Sequence, residues 1–292
     1  MYEAKDYFQL FVSGASSGCI YVLIALGLIA IYNVTGVVNL AQGEFVMLGA
    51  MFAVLFRGFH LPLGTSLLAA VLSVMLVGAF VQRVTIHPAR HAPPVTLIII
   101  TIGTAITIRG LALLFWGTTP YSLPEFSPGP PVQVAGAVLS RQRLWIMGTA
   151  MLVLLLLYLF FEFTLLGRAV RACALNRVSA ELMGVDSSLM ALLAYVLSAG
   201  MSAVAGVVMA PLTLVSYDMG LVLGLKGFVV AIMGEMENAP AAVVGGILLG
   251  VLESFASAMI SSGFKDAIAF FVLFVVLLLR TVRFRDLLGR RT

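Results

Sequence analysis

The amino-acid sequence predicts an all-α, polytopic integral membrane protein with about eight or nine transmembrane segments. Of the 292 residues, 61% are hydrophobic and only 10% are charged, whereas a soluble domain carries roughly 25% charged residues. So few charges cannot cover the surface of a water-soluble protein, and the mean hydropathy of +1.11 indicates that lipid surrounds most of the chain. The apolar runs also have the length that a membrane-spanning helix needs, about 20 residues.

The apolar runs follow one another without a soluble insert, so residues 1–292 are interpreted as a single membrane domain. Full-length candidates cover about residues 8–32, 62–82, 95–116, 144–166, 189–211, 239–260 and 265–280. Two shorter apolar pieces, near residues 44–56 and 226–236, are flanked by glycine and polar residues. Each of the two is predicted to be a half-helix or a tilted short span.

The order of these pieces suggests an internal duplication. A long span, a polar stretch broken by glycine, a short apolar piece and two further spans occur in residues 8–116 and again in residues 189–280. The first unit is predicted to end outside the cell and the second inside, which makes the repeat inverted. Interrupted segments at corresponding positions of two halves are a sequence pointer to a transport site.

The orientation follows from the arginines, because lysine and arginine collect in the cytoplasmic loops of membrane proteins. Ten of them lie in three regions that are predicted to face the cytoplasm: Arg83, Arg90, Arg168, Arg171, Arg177, Arg280, Arg283, Arg285, Arg290 and Arg291. The C-terminus is therefore expected in the cytoplasm. Alternation then places the proline- and glycine-rich loop at 117–143 outside, where it should be irregular.

Polar residues interrupt the apolar pattern in the segment GLIAIYNVTGVVNLAQGEFVMLG, residues 27–49. Asn39, Gln42 and Glu44 are expensive at membrane depth, so they are expected to face a cavity, a partner helix or a substrate path. A structural alternative remains open, since Glu44 begins a short apolar helix whose dipole favours a negative charge. We predict that this segment contributes to a path across the membrane.

The second half has polar residues at the corresponding break. Tyr217 and Asp218 are candidates for the same path, although an ion pair between Asp218 and Lys226 that holds the loop is an equally good interpretation. Arg109 and Glu253 lie inside predicted spans and could pair across helices.

A polar segment at residues 168–186, RAVRACALNRVSAELMGVD, lies between two spans and is predicted to form a short amphipathic helix. One side of it would carry Ala169, Ala172, Leu175 or Asn176, Ser179 and Met183. Gly184 is a candidate left-handed residue after the helix, and Asp186 or Ser187 can cap the following span. The helix could dock into a groove of a cytoplasmic protein. Alternatively, it could lie at the lipid headgroups, with Arg168 and Arg171 reaching the aqueous side.

No catalytic chemistry is visible in the sequence. It contains no GxxxxGK[ST] phosphate loop, nucleophile elbow, HExxH or CxxCH motif, and Cys19 and Cys173 form no metal or redox spacing. No cofactor, metal or nucleic acid is therefore expected. If the transport is active, its energy comes from another chain or from an ion gradient.

Several segments in order resemble the branched-chain amino acid ABC transporter permeases, in particular the shorter, LivH-type subunit. Residues 18–50, GCIYVLIALGLIAIYNVTGVVNLAQGEFVMLGA, resemble the N-terminal signature of this family, with NLAQGE where the family typically has NFAHGE. Residues 167–186 resemble its cytoplasmic coupling loop, residues 218–234 and 240–253 its second-half signature, and FKDAIAF at 264–270 the entry to its last span. Two segments depart from the family pattern. GEMENAPA at 234–241 replaces a glycine-rich GGxGSxPG, and RTVRFRDLLGRR at 280–291 replaces a proline-glycine exit.

The resemblance implies a permease subunit of a binding-protein-dependent importer in the bacterial inner membrane, itself without enzymatic activity. Its implied partners are a longer homologous permease subunit, two cytoplasmic ATPases that hydrolyse ATP, an extracytoplasmic solute-binding protein and membrane lipid. The expected path residues are Asn39, Gln42, Glu44, Tyr217 and Asp218. The expected ATPase-coupling residues, within a loop at about 167–188, are Arg171, Asn176, Arg177, Glu181 and Gly184.

The expected solutes are branched-chain or other hydrophobic amino acids, carried by alternating access. Members of the family also carry urea, short amides or aromatic acids, so these solutes remain alternatives. An ion-coupled secondary carrier with Glu44 and Asp218 as its coupling carboxylates is a rival class, and so is a structural subunit without its own path.

Overall fold

The computed structural model describes residues 4–134, 137–259, 267–272, 274–276 and 278. Within them the predicted all-α architecture is confirmed. The α-helices up to residue 259 are, in chain order, α1 (Ala4–Thr35), α2 (Gln42–Gly58), α3 (Leu63–Val81), α4 (Pro94–Trp116), α5 (Arg141–Phe163), α6 (Leu165–Leu175), α7 (Arg177–Leu182), α8 (Ser187–Met209), α9 (Met219–Met233) and α10 (Ala239–Met259). A π-helical turn, Gln82–Ile86, extends α3, and a short 3₁₀ turn, Ala210–Leu212, extends α8.

Six of the described helices are long and apolar enough to cross a membrane, namely α1, α3, α4, α5, α8 and α10. The two short apolar pieces are the helices α2 and α9, and α9 begins at Met219 rather than near 226 because the preceding residues are also apolar. A further short apolar helix covers Ala267–Val276. The rest of the predicted span at 265–280, and the arginine-rich tail, lie outside the described residues.

The loop at 117–143 is mostly irregular, as its prolines and glycines predict. It also contains a small antiparallel hairpin of β1 (Val132–Val134) and β2 (Ala137–Leu139), in which Val132 lies opposite Leu139. An isolated bridge between Tyr121 and Val215 ties this loop to the connection between α8 and α9.

Small residues let α1 and α10 pack closely and in opposite directions. A Cβ added at Gly14 would lie 2.5 Å from the Cα of Val251, and one added at Gly18 would lie 2.7 Å from the Cα of Ile247. As the residue number increases along α1, the residue number of its contact in α10 decreases, so the two helices are antiparallel. Each helix has two glycines at i,i+4 where the helices pack closely, namely Gly14 and Gly18 in α1 and Gly246 and Gly250 in α10. Such pairs are common between membrane helices.

Helix α8 is also antiparallel to α1. A Cβ added at Gly27 would lie 2.9 Å from the Oγ of Ser198, while Val34, near the end of α1, clusters with Met190, near the start of α8. Helices α8 and α10 therefore run in the same direction, opposite to α1.

The two short helices α2 and α9 (the half-helices) run in opposite directions, and their first turns meet. Gln42, at the start of α2, contacts Ser198 and Ser202, and Val46 contacts Gly206, so α2 is parallel to α8. In contrast, α9 is antiparallel to α10, because Lys226 in the middle of α9 pairs with Glu253, and Met233 at its end contacts the earlier residue Gly245. A Cβ added at Gly220 would lie 2.7 Å from the carbonyl oxygen of Gly43.

The connection between α1 and α2 folds back into the bundle. Gln42 contacts Gly27, which lies eight residues before the end of α1 at Thr35. At a rise of 1.5 Å per residue, α2 therefore begins about 12 Å back along α1. This is the interrupted-helix arrangement that the sequence predicts at this position. The inverted duplication of the two halves stays a prediction.

Candidate transport site and coupling loop

The predicted path residues Asn39, Gln42 and Glu44 are each 1% exposed, and they surround the start of α2. The Oδ1 of Asn39 accepts a hydrogen bond from the backbone N–H of Ala41 at 3.1 Å, which shapes the turn into the helix. The backbone N–H of Leu40 donates to the Oγ1 of Thr101 at 3.3 Å and so fastens the same turn to α4.

Gln42 attaches α2 to α8. Its Nε2 donates to the Oγ of Ser202 at 2.6 Å, and its Oε1 accepts from the Oγ of Ser198 at 2.8 Å. Both ends of the buried amide are thus paired, which removes the cost of burying it. Gly27 leaves the room for this amide, because a Cβ there would overlap the Nε2 of Gln42.

Glu44 forms an ion pair with Arg109 of α4, where the guanidinium Nη2 donates to Oε1 of the carboxylate. The expected pairing of Arg109 with Glu253 is therefore wrong. The Glu44 side chain is 2% exposed and the Arg109 side chain 26%. Three polar atoms in this region are buried and have no hydrogen-bond partner among the described residues: the Nδ2 of Asn39, the Oε2 of Glu44 and the Nε of Arg109.

A cavity of about 170 Å³ lies between α4, α9 and the connection before α2. Asn39, Gln42 and Arg109 supply its polar lining, and Gly220 and Gly224 leave space on the α9 side. The remaining lining is apolar: Leu28, Leu40, Ile102, Ala105, Ile106, Leu221, Leu225 and Phe228. A small, mostly apolar recess with a few polar groups is the usual form of a site for a small solute.

A second buried ion pair joins α9 to α10. The Nζ of Lys226 lies 2.7 Å from Oε1 of Glu253, and the hydroxyl of Tyr21 donates to Oε2 of the same carboxylate at 2.6 Å. The alternative ion pair between Lys226 and Asp218 is wrong, because the two residues are eight positions apart along α9, a rise of about 12 Å. Instead, Asp218 accepts a hydrogen bond from the Oγ of Ser216 at 2.6 Å.

The other two predicted path residues lie at the start of α9. Tyr217 is half-buried against the apolar cluster that includes Phe45 and Val215, and Asp218 is exposed. Neither is among the residues that line the cavity. A contribution of Tyr217 and Asp218 to a path stays a prediction.

Sequence reasoning missed the residues that complete this site from other helices. Ser198 and Ser202 are two hydroxyls at i,i+4 in an apolar span, and this spacing was the available signal for a polar partner across the helix interface. Thr101 and Gly220 carry no comparable signal. Their roles depend on which helices are neighbours in the fold.

The predicted coupling loop forms two helices, α6 and α7, rather than one. Asn176 has φ −157° and ψ 103°, which ends α6, and its Oδ1 accepts from the backbone N–H of Ser179 at 3.0 Å to begin α7. Asparagine competes with the helix in this way because its side chain can pair with nearby backbone. Gly184 adopts φ +87°, as predicted for a left-handed residue after the helix, and Asp186 caps α8.

Polar contacts hold these two helices in place. Arg171 pairs with Glu162 at 3.0 Å and donates to the carbonyl oxygen of Phe161 at 2.6 Å. Arg177 donates to Glu181 at 3.3 Å and to the Oγ of Ser187 at 3.0 Å. The hydrogen bond from Ser187, and then that from Arg177, lower the pKa of the Glu181 carboxyl, so this exposed group stays ionised.

The break at Asn176 divides the predicted apolar face. Ala169 and Ala172 are half-buried, whereas Leu175, Ser179 and Met183 are exposed. The side that packs on α1 and α8 carries Val170, Cys173 and Ala180, which cluster with Val34, Met190 and Ala194. The opposite side leaves large apolar side chains in contact with solvent: Leu175 at 89%, Leu182 at 83% and Met183 at 85% exposure.

Comparison with known proteins identifies relatives over nearly the whole chain. Residues 10–279 match the model of the family described as branched-chain amino acid transport system / permease component. The chain is 31% identical to the high-affinity branched-chain amino acid transport system permease protein BraD of Pseudomonas aeruginosa, over 99% of this chain and 98% of that protein. It is 30% identical to the permease protein LivH of Escherichia coli K12, over 95% of each chain.

A more distant relative is the probable branched-chain amino acid transport permease protein LivH of Methanocaldococcus jannaschii, with 28% identity over 83% of this chain and 79% of that protein. Among solved structures, PsaBC from Streptococcus pneumoniae in complex with Fab contains a chain with a similar fold, at a TM-score of 0.50 and 13% identity over 92% of this chain and 90% of that chain. The re-entrant NLAQGE segment and the near-complete matches together show that the chain belongs to the branched-chain amino acid transport permease family.

Proposed function

We propose that this chain is a membrane subunit of a binding-protein-dependent ABC importer for branched-chain or other hydrophobic amino acids. Its partners would be a homologous, longer permease subunit, two cytoplasmic ATPases and an extracytoplasmic solute-binding protein. Membership of a transport permease family supports the transport role. The observation that carries the coupling to an ATPase is the exposed apolar side of α6 and α7.

That exposed side has the chemistry of a docking surface. Leu175, Leu182 and Met183 are each more than 80% exposed, although the opposite side of the same two helices packs on α1 and α8. Exposed apolar groups on a firmly held short helix suit a hydrophobic groove on a partner. A movement of the partner would be transmitted to α1 and α8, which contact Gln42 through Gly27, Ser198 and Ser202.

The partly exposed Arg109 indicates where the solute path would run. A charged side chain within a transmembrane helix faces the bundle interior or a water-filled space, because contact with lipid is costly. Arg109 is 26% exposed on the face of α4 that adjoins α9. We infer that this face is covered by the partner permease and that the path lies between the two subunits, with NLAQGE on its wall.

The proposal is tested by reconstituting the complete complex in lipid vesicles and measuring leucine uptake. Uptake should require ATP, the ATPases and the binding protein, and it should persist when ionophores remove the proton and sodium gradients. If this chain alone supports uptake, and if that uptake stops when the proton or sodium gradient is removed, the chain is a secondary carrier instead. A complex that assembles but needs only the partner permease for uptake would indicate a structural subunit.

The docking surface is tested by Leu182→Glu and Met183→Glu, with Val138→Glu as the matched control. Val138 is also an exposed apolar residue, but it lies at the opposite end of α5 from the tested surface: Val138 precedes the first residue of α5, and α6 and α7 follow its last residue. Binding of the purified ATPase should fall at least tenfold, about 1.4 kcal/mol, for the first two variants and stay unchanged for the control. Equal binding by all three would mean that α6 and α7 lie on lipid headgroups.

The orientation is tested with single cysteines at Ser127 and Val178 in a chain without Cys19 and Cys173. We expect a membrane-impermeant thiol reagent to label the two positions from opposite sides, with Val178 on the cytoplasmic side. Labelling of both from one side would contradict the proposed orientation and the coupling role of α6 and α7.

A further inference from the structure

The cavity at the meeting point of the two half-helices contains unused hydrogen-bond donors. The Nδ2 of Asn39 and the Nε of Arg109 are buried, and neither has a partner among the described residues. Asn39 and Arg109 both line the cavity. Asn39 is 1% exposed. Buried donors without partners are costly and uncommon, so two of them beside one cavity indicate that a ligand completes their hydrogen bonding.

An unused acceptor lies beside the same cavity. The Oε2 of Glu44 is buried without a partner, and a Cβ added at Gly220, a cavity residue, would lie 2.8 Å from it. The ion pair between Glu44 and Arg109 occupies only one oxygen of the carboxylate and one nitrogen of the guanidinium. The site therefore offers two donors and one acceptor at one end and an apolar wall at the other.

We propose that this cavity binds the zwitterionic head group of an amino acid during its passage. The α-carboxylate accepts hydrogen bonds from Asn39 and Arg109, and the α-ammonium donates to Glu44. The aliphatic side chain contacts the apolar wall formed by Leu28, Ile106, Leu225 and Phe228. This inference rests on the proposed function, and it assigns part of the solute selection to the permease itself.

The existing ion pair makes such a site suitable for transient binding. Because Arg109 and Glu44 neutralise each other, the site has no net charge, and a zwitterion enters without displacing a counter-ion. A solute with only one of the two charges would leave an unbalanced charge in a desolvated site, which is expensive. Urea and short amides have carbonyl oxygens that can accept from the two donors, but they have neither a carboxylate nor an ammonium group. They therefore make only weaker, neutral hydrogen bonds on their own side, and they are expected to bind less tightly than an amino acid.

The test measures protection of a cysteine in the cavity wall of the complete complex. Ile106→Cys is introduced in a chain in which Cys19 and Cys173 are replaced by alanine. Ile99→Cys is the matched control, because it lies on α4 two turns away, is similarly exposed (62% against 64%) and does not line the cavity. The alkylation rate is measured with leucine, with 4-methylpentanoate, which lacks the ammonium, and with 3-methylbutylamine, which lacks the carboxylate.

Leucine should slow the alkylation of Ile106→Cys without affecting Ile99→Cys, and the two analogues should protect at least tenfold less well at equal concentration, about 1.4 kcal/mol. Equal protection by leucine and 4-methylpentanoate would overturn the zwitterion site, as would the absence of protection. A cysteine at 106 that does not react in any state would also overturn it, because a solute site must be reachable by water.

Asn39→Asp tests the donor directly. This variant keeps the oxygen that accepts from Ala41 but replaces the Nδ2 donor with an oxygen. The concentration of leucine that gives half-protection should rise at least tenfold. If the variant does not assemble, Leu225→Phe, which fills the apolar end and changes no polar group, should produce the same loss. Unchanged protection in an assembled variant of either kind overturns the proposal.

Uptake measured on the same vesicles separates this inference from the proposed function. ATP-dependent leucine uptake without protection of Ile106→Cys contradicts only the cavity site. Absence of ATP-dependent uptake by the complex with the unchanged chain contradicts the proposed function.

Discussion

The two halves of the molecule each contain a half-helix with one buried charge, but they neutralise it differently. In the first half, Glu44 of α2 pairs with Arg109 of α4, and Arg109 remains 26% exposed. In the second half, Lys226 of α9 pairs with Glu253 of α10, with side-chain exposures of 5% and 1%. Tyr21 donates a further hydrogen bond to Glu253, whereas the first pair leaves Glu44 Oε2 and Arg109 Nε without partners among the described residues.

This difference indicates that similar half-helices serve two purposes. The second pair is enclosed by α1, α9 and α10, so it fastens three helices together. The first pair borders a cavity and is incompletely hydrogen-bonded, which is the usual condition of a functional site rather than of a structural contact. Burial of a charge alone therefore does not distinguish the proposed solute site from a structural contact. Unused hydrogen-bonding capacity beside a cavity is what sets the proposed site apart.

The largest effect on stability is expected from breaking the ion pair between Lys226 and Glu253. Lys226→Ala leaves the Glu253 carboxylate buried without its cation and should cost about 3–5 kcal/mol of stability. The combination Lys226→Met, Glu253→Met and Tyr21→Phe removes all the polar groups together and should recover most of this loss. Thermal unfolding of the detergent-purified protein measures both. If the triple variant is as unstable as Lys226→Ala, the pair contributes net stability that apolar side chains do not replace.

Replacing the ion pair between Glu44 and Arg109 should reduce transport rather than stability. Glu44→Met with Arg109→Met replaces both charges with apolar groups of similar length, so the unfolding temperature should change little. ATP-dependent uptake by the complex should fall at least a hundredfold, about 2.7 kcal/mol. Uptake at the unchanged rate in this double variant would show that the first pair, like the second, is structural.

The contact between the half-helices gives a smaller effect. Gly220→Ala places a methyl group 2.7 Å from the carbonyl oxygen of Gly43, and overpacking of this kind costs about 1–3 kcal/mol. Gly103→Ala in α4 is the matched control, because nothing lies within 4 Å of the added Cβ. A stability measurement in which both variants behave alike would mean that α2 and α9 do not approach each other so closely.

The smallest effect concerns the turns that follow the half-helices. Glu235 and Met236 after α9, and His60 after α2, have φ near +59°, which costs a residue with a side chain roughly 1–2 kcal/mol relative to glycine. Glu235 also occupies a position where the related family pattern has glycine. Glu235→Gly should therefore raise the stability by about 1 kcal/mol or less, since glycine is also freer in the unfolded chain. A decrease in stability would show that a contact of the Glu235 side chain outweighs the strain.

The local features of this fold follow from the sequence because they depend on neighbouring residues. Length and hydropathy identify the long helices, and the NLAQGE segment at 39–44 identifies the interruption before α2. Gly184 is recognisable as the left-handed residue after α7 because an apolar-periodic helix is predicted to end there. The break at Asn176 was not predicted, although the capping chemistry of asparagine is also local, because alanine, leucine and arginine around it favour one continuous helix.

The sequence by itself determined that the chain has the composition of a membrane protein, that the chain is interrupted before α2, and that Glu44, Arg109, Lys226 and Glu253 stand in apolar segments. Only the tertiary structure decided how those charges pair. The four side chains of these two pairs allow several combinations, and the choice between Arg109 with Glu44 and Arg109 with Glu253 depends on the depth and rotation of each helix. Those are set by close contacts between residues distant in sequence, such as Gly14 with Val251 and Gly43 with Gly220, and no local pattern in the chain encodes them.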